Sequence, residues 1–160
     1  MIPERVLQSR PMRLALVSLI ALVLTACGGG QVRDESPMVR VSEVSHLDND
    51  ITVQLSIRNV NDEVLDIRAI SFEMMTDDKP FLAWDGPATV NIAAKGTEAW
   101  SVEISASASG VALLDSLQQG SIKSLPYTLE GSVKTVDDNT LRFEGVGHLY
   151  PLPGRPGYFR

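Results

Sequence analysis

The arrangement of apolar and polar side chains predicts most of the elements. Ile51, Val53, Leu55 and Ile57 alternate strictly with Thr52, Gln54, Ser56 and Arg58. A period of two over eight residues is a strand with one face buried and one wet. Val39 and Val41 alternate in the same way ahead of it and extend towards Val44. His46-Leu47-Asp48-Asn49-Asp50 supplies a turn between them, since Asp and Asn tolerate left-handed backbone and bond their own chain. Asn59-Val60-Asn61-Asp62 ends the second strand. Leu65 and Ile67 resume the alternation, but Ile70, Phe72 and Met74 continue it on the opposite parity, which predicts a β-bulge or a change of sheet between Ile67 and Ile70. A turn at Asp77-Asp78-Lys79-Pro80 leads to a short strand, Phe81 to Trp84, ended by Asp85-Gly86-Pro87. Further strands carry Val90 and Ile92, then Trp100, Val102 and Ile104 after Lys95-Gly96.

One segment breaks the period. Between Ser109 and Gly120, Leu113, Leu114 and Leu117 share a helical face, with Ser109 available as N-cap and Gly120 as the stop. Tyr127, Leu129, Gly131 and Val133 then alternate, Asp137-Asp138-Asn139 turns the chain, and Leu141 and Phe143 begin a last strand reaching about Leu149. Pro151-Leu152-Pro153-Gly154-Arg155-Pro156-Gly157 cannot occupy a central strand and predicts an extended tail over residues 150–160. About seven short strands and one short helix at this spacing give an all-β fold, an immunoglobulin- or fibronectin-III-like antiparallel β-sandwich over residues 38–149.

The first 26 residues do not belong to that pattern. Arg5, Arg10 and Arg13 precede Leu14 to Leu24, eleven residues without a charge. Such a run is too short for a membrane-spanning helix, which needs roughly 20 apolar residues, and matches a secretory signal peptide. Leu24-Thr25-Ala26-Cys27 follows and resembles a bacterial lipobox, where the cysteine thiolate is acylated and the leader is cut just before it. Gly28 rather than aspartate follows the cysteine, which favours an outer-membrane anchor facing the periplasm. Residues 27–37 are glycine-rich and polar and read as a flexible tether. Gly28-Gly29-Gly30 has no following lysine and no preceding strand, so it is not a phosphate loop.

Charge sharpens this picture. The 160-residue chain has 14 basic and 20 acidic side chains and a net charge of −6. The leader holds three of the basic and one of the acidic groups, so the 134 residues from Cys27 onward carry 11 and 19, a net −8. An acidic domain does not bind a nucleic-acid backbone, which needs a basic face. A single cysteine excludes an internal disulfide framework and a four-cysteine zinc site.

Candidate chemistry is sparse. The chain has no G-x-S-x-G, no H-E-x-x-H and no phosphate loop. His46 and His148 are the only histidines and could hold a metal with Asp48 or Asp50 if the first and last strands are adjacent. A solvated turn histidine and a strand-edge histidine account for them more simply. Asp77-Asp78 and Asp137-Asp138-Asn139 lack the spacing of a calcium loop and suit hairpin turns. Trp100 shares the parity of Val102 and Ile104 and belongs to the core. Trp84, beside the Gly-Pro pair, is the better candidate for an exposed partner contact, together with Tyr158 and Phe159 in the tail. No catalytic group, cofactor, metal or small-molecule substrate is expected. The expected partners are the membrane, through lipidated Cys27, and proteins touched weakly and broadly.

Residues 51–61, an alternating strand running into Asn59-Val60-Asn61, resemble the signature of the LEA type 2 family, also called the water-stress and hypersensitive-response (WHy) domain. Asp85-Gly86, Ala94-Lys95-Gly96-Thr97, the leucines from Leu113 to Leu117 and Tyr127-Thr-Leu-Glu-Gly131 follow in the family's order. Val60 stands where the family usually has proline, so the turn is expected to be looser. The resemblance implies a β-sandwich with a short helix, in a family associated with desiccation and stress tolerance. It leads to the expectation of a non-catalytic envelope lipoprotein. The alternative is a structural or assembly lipoprotein that docks a partner of an envelope or secretion machine.

Overall fold

Residues 35–47, 50–105 and 107–160 are described in the computed structural model. The expected signal peptide, Cys27, most of the expected tether and Asp48 lie outside the described residues. Nearly everything described is strand: β1 (Met38–Leu47), β2 (Asp50–Arg58), β3 (Leu65–Thr76), β4 (Lys79–Ile92), β5 (Thr97–Ser105), β6 (Leu125–Thr135), β7 (Thr140–Leu149) and β8 (Tyr158–Phe159), with one helix, α1 (Ala108–Gln118), between β5 and β6. They form two four-stranded antiparallel sheets, ordered β5-β2-β1-β8 and β4-β3-β6-β7.

The core follows the period of two. Ile51, Val53, Leu55 and Ile57 lose all solvent contact. Facing them from the second sheet are Ile70, Phe72, Met74, Leu129, Val133 and Phe143. Burial of each such side chain stabilises by about 1.5–3 kcal/mol before entropy is subtracted. The parity slip in β3 is a bulge at Arg68: Ile67 and Ala69 pair with the adjacent residues Thr135 and Lys134 of β6. A second bulge at Ser42 explains why Val39 and Val44 are both buried although an odd number of bonds separates them. There the Ser42 hydroxyl donates to the Gln54 carbonyl at 3.0 Å.

Four expectations need correction. Asp85-Gly86-Pro87 does not end a strand; β4 runs on through it for 14 residues, because its register shift opposite Arg68 absorbs the change of parity. The helix is capped by Ser107, not Ser109: Ser107 is extended (φ −80°, ψ 146°) and its hydroxyl accepts from the Gly110 N–H at 3.1 Å. Gly120 does stop the helix, at φ +75°. The residues after Tyr150 are not a free tail. They turn back so that Tyr158 and Phe159 pair with Ser45 and Val44 on the edge of β1. Phe159 is 1% exposed and part of the core, so it is not available as a partner contact.

The strands give the sandwich two ends. The asparagine end gathers the start of β1, the end of β2 and the loops 59–64, 93–96 and 136–139. The helix end gathers α1, the β3–β4 hairpin and the C-terminal clasp (residues 150–160).

Candidate functional site at the asparagine end

The strand β2 ends at Arg58, and Asn59 turns inward with no exposed surface. A buried amide must find partners on every side or cost about 1–3 kcal/mol for each group left bare. Asn59 finds them all. Its Nδ2 donates to the carbonyls of Glu63 at 2.7 Å and of Ile92 and Ala93 at 3.2 Å each. Its Oδ1 accepts from the Asn61 backbone N–H at 2.9 Å and from Asn61 Nδ2 at 3.2 Å. Its own backbone N–H donates to the Gly96 carbonyl at 2.9 Å. One side chain therefore ties the end of the first sheet to the end of β4 in the second.

The other motif residues complete the same knot. Lys95 adopts φ +55° and its backbone N–H donates to the Asn61 carbonyl at 3.1 Å. Lys95 Nζ donates to the Val60 carbonyl at 2.6 Å and pairs with Asp62 at 3.1 Å. The ammonium thus holds the carbonyl of Val60, the residue that stands in place of proline. A methyl on Gly96 would lie 2.9 Å from the Ala93 carbonyl oxygen, which keeps that position small. Asn61 reaches outward as well: it accepts from the Glu35 N–H at 2.7 Å and donates to the Glu35 carbonyl at 2.9 Å. The backbone at Glu35, just ahead of β1, is fixed at this end.

The remaining motif glycines serve aromatic rings. A methyl on Gly131 would meet the Ser71 carbonyl and lie 2.5 Å from Phe143 Cζ, on the paired position of β7. The Tyr127 ring covers Gly147 in the same way, with its oxygen 2.5 Å from where a Cβ would stand. Trp84 lies over Gly86, with 2.7 Å from Cζ2 to that point. Trp84 is thus half-buried against the core rather than a free contact, and its Nε1 is buried without a partner. Burial pushes the Tyr127 phenol above its usual range, and a hydrogen bond from the Val41 backbone offsets part of that rise. Sequence reading missed this coupling of rings to glycines; Gly145-Val-Gly147 opposite Tyr-x-Leu-x-Gly was the available signal.

The structure does not bring the histidines into a common group. β1 and β7 lie in different sheets. His46 Nδ1 stands 4.0 Å from Asp115 of α1, while His148 stacks on Tyr150 with ring centres 6.2 Å apart. Among the described residues no three His, Cys, Asp or Glu are grouped to hold a metal ion. Asp77 and Asp78 sit at φ +48° and +58° in the β3–β4 turn, and Asp138, at φ +65°, pairs with Arg68. Trp100 is half-buried against the core. Tyr158 is half-buried, with the Arg155 guanidinium 3.8 Å above its ring. No described helix is long and apolar enough to cross a membrane.

Residues 54–145 match the family model described as late embryogenesis abundant protein. No curated protein matches the chain. Several solved structures resemble it, among them the following three. A protein from Arabidopsis thaliana, solved in solution, is 16% identical with a TM-score of 0.49, covering 81% of this chain and 95% of that one. A protein from Archaeoglobus fulgidus is 8% identical with a TM-score of 0.42, over 71% and 95%. A further solution structure, described as a late embryogenesis abundant protein, is 15% identical with a TM-score of 0.44, over 86% and 84%.

Proposed function

Because this chain belongs to the late embryogenesis abundant family, we propose that it is a non-catalytic lipoprotein of the bacterial envelope that protects proteins or membrane surfaces during desiccation and related stress. The observation that carries this reading is that residues marking the family are engaged in the domain's own turns and packing. Asn59, Lys95, Gly96 and Gly131 close turns and seat rings, and what the domain offers a client is its surface. That surface is acidic, with a net −8 from Cys27 onward, and binds water strongly. Acylation of Cys27 anchors it, with about 0.8 kcal/mol for each methylene entering the bilayer, in the outer membrane facing the periplasm.

The test is to dry a labile enzyme beside the protein and measure recovered activity. Recovery above that given by an equal mass of an inert protein supports the reading; equal recovery overturns it. An assembly role resting on a free tail is not favoured, since Phe159 sits in the core.

A further inference from the structure

The outer face of the first sheet carries, at its asparagine end, a small basic cleft. Met38 pairs across to Arg58 and on to Thr97, and Arg40 pairs with Ser56, so these side chains share one face. With Val39 they line a cleft of about 170 Å³. Four other clefts each carry carboxylates: Glu130 and Glu144; Glu73, Asp85 and Glu130; Asp77 and Asp78; or Glu63, Asp66 and Asp137. This one has none. Among the described residues the Arg40 and Arg58 side chains have no ion pair and no hydrogen bond. Met38 is 63% exposed beside them. Two guanidiniums lining one cleft without a carboxylate are free to share an anion.

We propose that this cleft docks on the phosphate headgroups of anionic phospholipids in the leaflet that holds the anchor. The inference rests on acylation of Cys27 and adds the orientation of the domain. Only eight peptide steps separate Cys27 from Glu35, which is fixed to Asn61. Covalent geometry limits them to about 29 Å. The ten-residue strand β1 is about 33 Å long, so the asparagine end, where Glu35 is bonded, is the end within that reach. Counter-ions screen charge over about 8 Å at physiological salt, so the face nearest the lipid, not the net charge, sets the local attraction. Arginine forks grip phosphate oxygens in pairs, and the flexible Met38 side chain enters the apolar zone beneath them.

The test uses the full protein, acylated, in vesicles of phosphatidylcholine with and without phosphatidylglycerol. With Cys27 acylated, a cysteine introduced by Met38→Cys is the one free thiol and takes an environment-sensitive fluorophore. Val146→Cys, a position 82% exposed towards the helix end, takes the same label as the control. The expected result is a blue shift at position 38 with phosphatidylglycerol, reversed by salt and lost in Arg40→Gln/Arg58→Gln, with no change at position 146. Equal emission at both positions, or a shift indifferent to the arginines, overturns the docking. Mass spectrometry of the same protein tests the anchor separately. If Cys27 bears no acyl chain, the anchor reading falls, and vesicle binding decides the docking alone. Binding weakened roughly 30-fold by the double substitution supports it, and unchanged binding overturns it.

Discussion

The two ends of the sandwich are closed by different physics. At the asparagine end, Asn59, Asn61 and Lys95 hold loops of the two sheets together through side-chain bonds to backbone. At the helix end, the side chains that close the core are apolar: Leu114 and Leu117 of α1 and Phe159 of the clasp are fully buried. Polar bonds need particular atoms at particular angles, so that end tolerates few residue types. Apolar burial needs volume and tolerates more. The family match, residues 54–145, takes in the whole asparagine knot and stops before the clasp.

The largest effect is expected at the helix end. Phe159→Ala empties a core position and uncovers the edge of β1, costing about 3–5 kcal/mol in chemical denaturation; Phe159→Leu should recover most of it. A loss below 1 kcal/mol would mean the clasp is not part of the core.

At the asparagine end, Asn59→Ala leaves three carbonyls and the Asn61 N–H short of partners, for about 2–3 kcal/mol. Asn59→Asp sharpens the comparison: it keeps the shape but turns an acceptor on the Glu63, Ile92 and Ala93 carbonyls, and should be at least as damaging. If Asp were tolerated there, the knot would be a matter of space, like the clasp.

Between the ends, Gly131→Ala pushes a methyl into the Phe143 ring and the Ser71 carbonyl, a strain of about 1–3 kcal/mol. Phe143→Leu in the same chain should relieve part of the cost, read as non-additivity of the two denaturation midpoints.

The smallest effect is electrostatic. The Tyr127 pKa is raised in the fold above its ordinary 10.0, so the folded state holds a proton that the unfolded chain releases. The stability this contributes is present below pH 10 and is lost as pH rises through the folded value. Denaturation midpoints should fall above pH 10, and Tyr127→Phe should flatten that slope.

Much of this was legible in the residues. The strict alternation of Ile51 to Ile57 determined a half-buried strand, the parity slip after Ile67 located the bulge to within two residues, and Asn59 and Asn61 marked a turn. All are local: the backbone period and a short polar side chain act within a few residues, so neighbours in sequence suffice. Tertiary structure decided the rest. The Pro- and Gly-rich stretch looks like a tail because its own residues cannot form a central strand, yet the open edge of β1 gives Tyr158 and Phe159 partners over 100 residues away. Gly86 and Pro87 look like a turn, but a bulge on the neighbouring strand lets β4 pass through. The aromatic cover over Gly131 and Gly147 arises only once β6 and β7 are in register. Sequence by itself thus determined the elements and the turn at Asn59 and Asn61; only the packed sheets decided what ties that turn to the end of β4 and what covers each edge, because these contacts depend on which strands become neighbours.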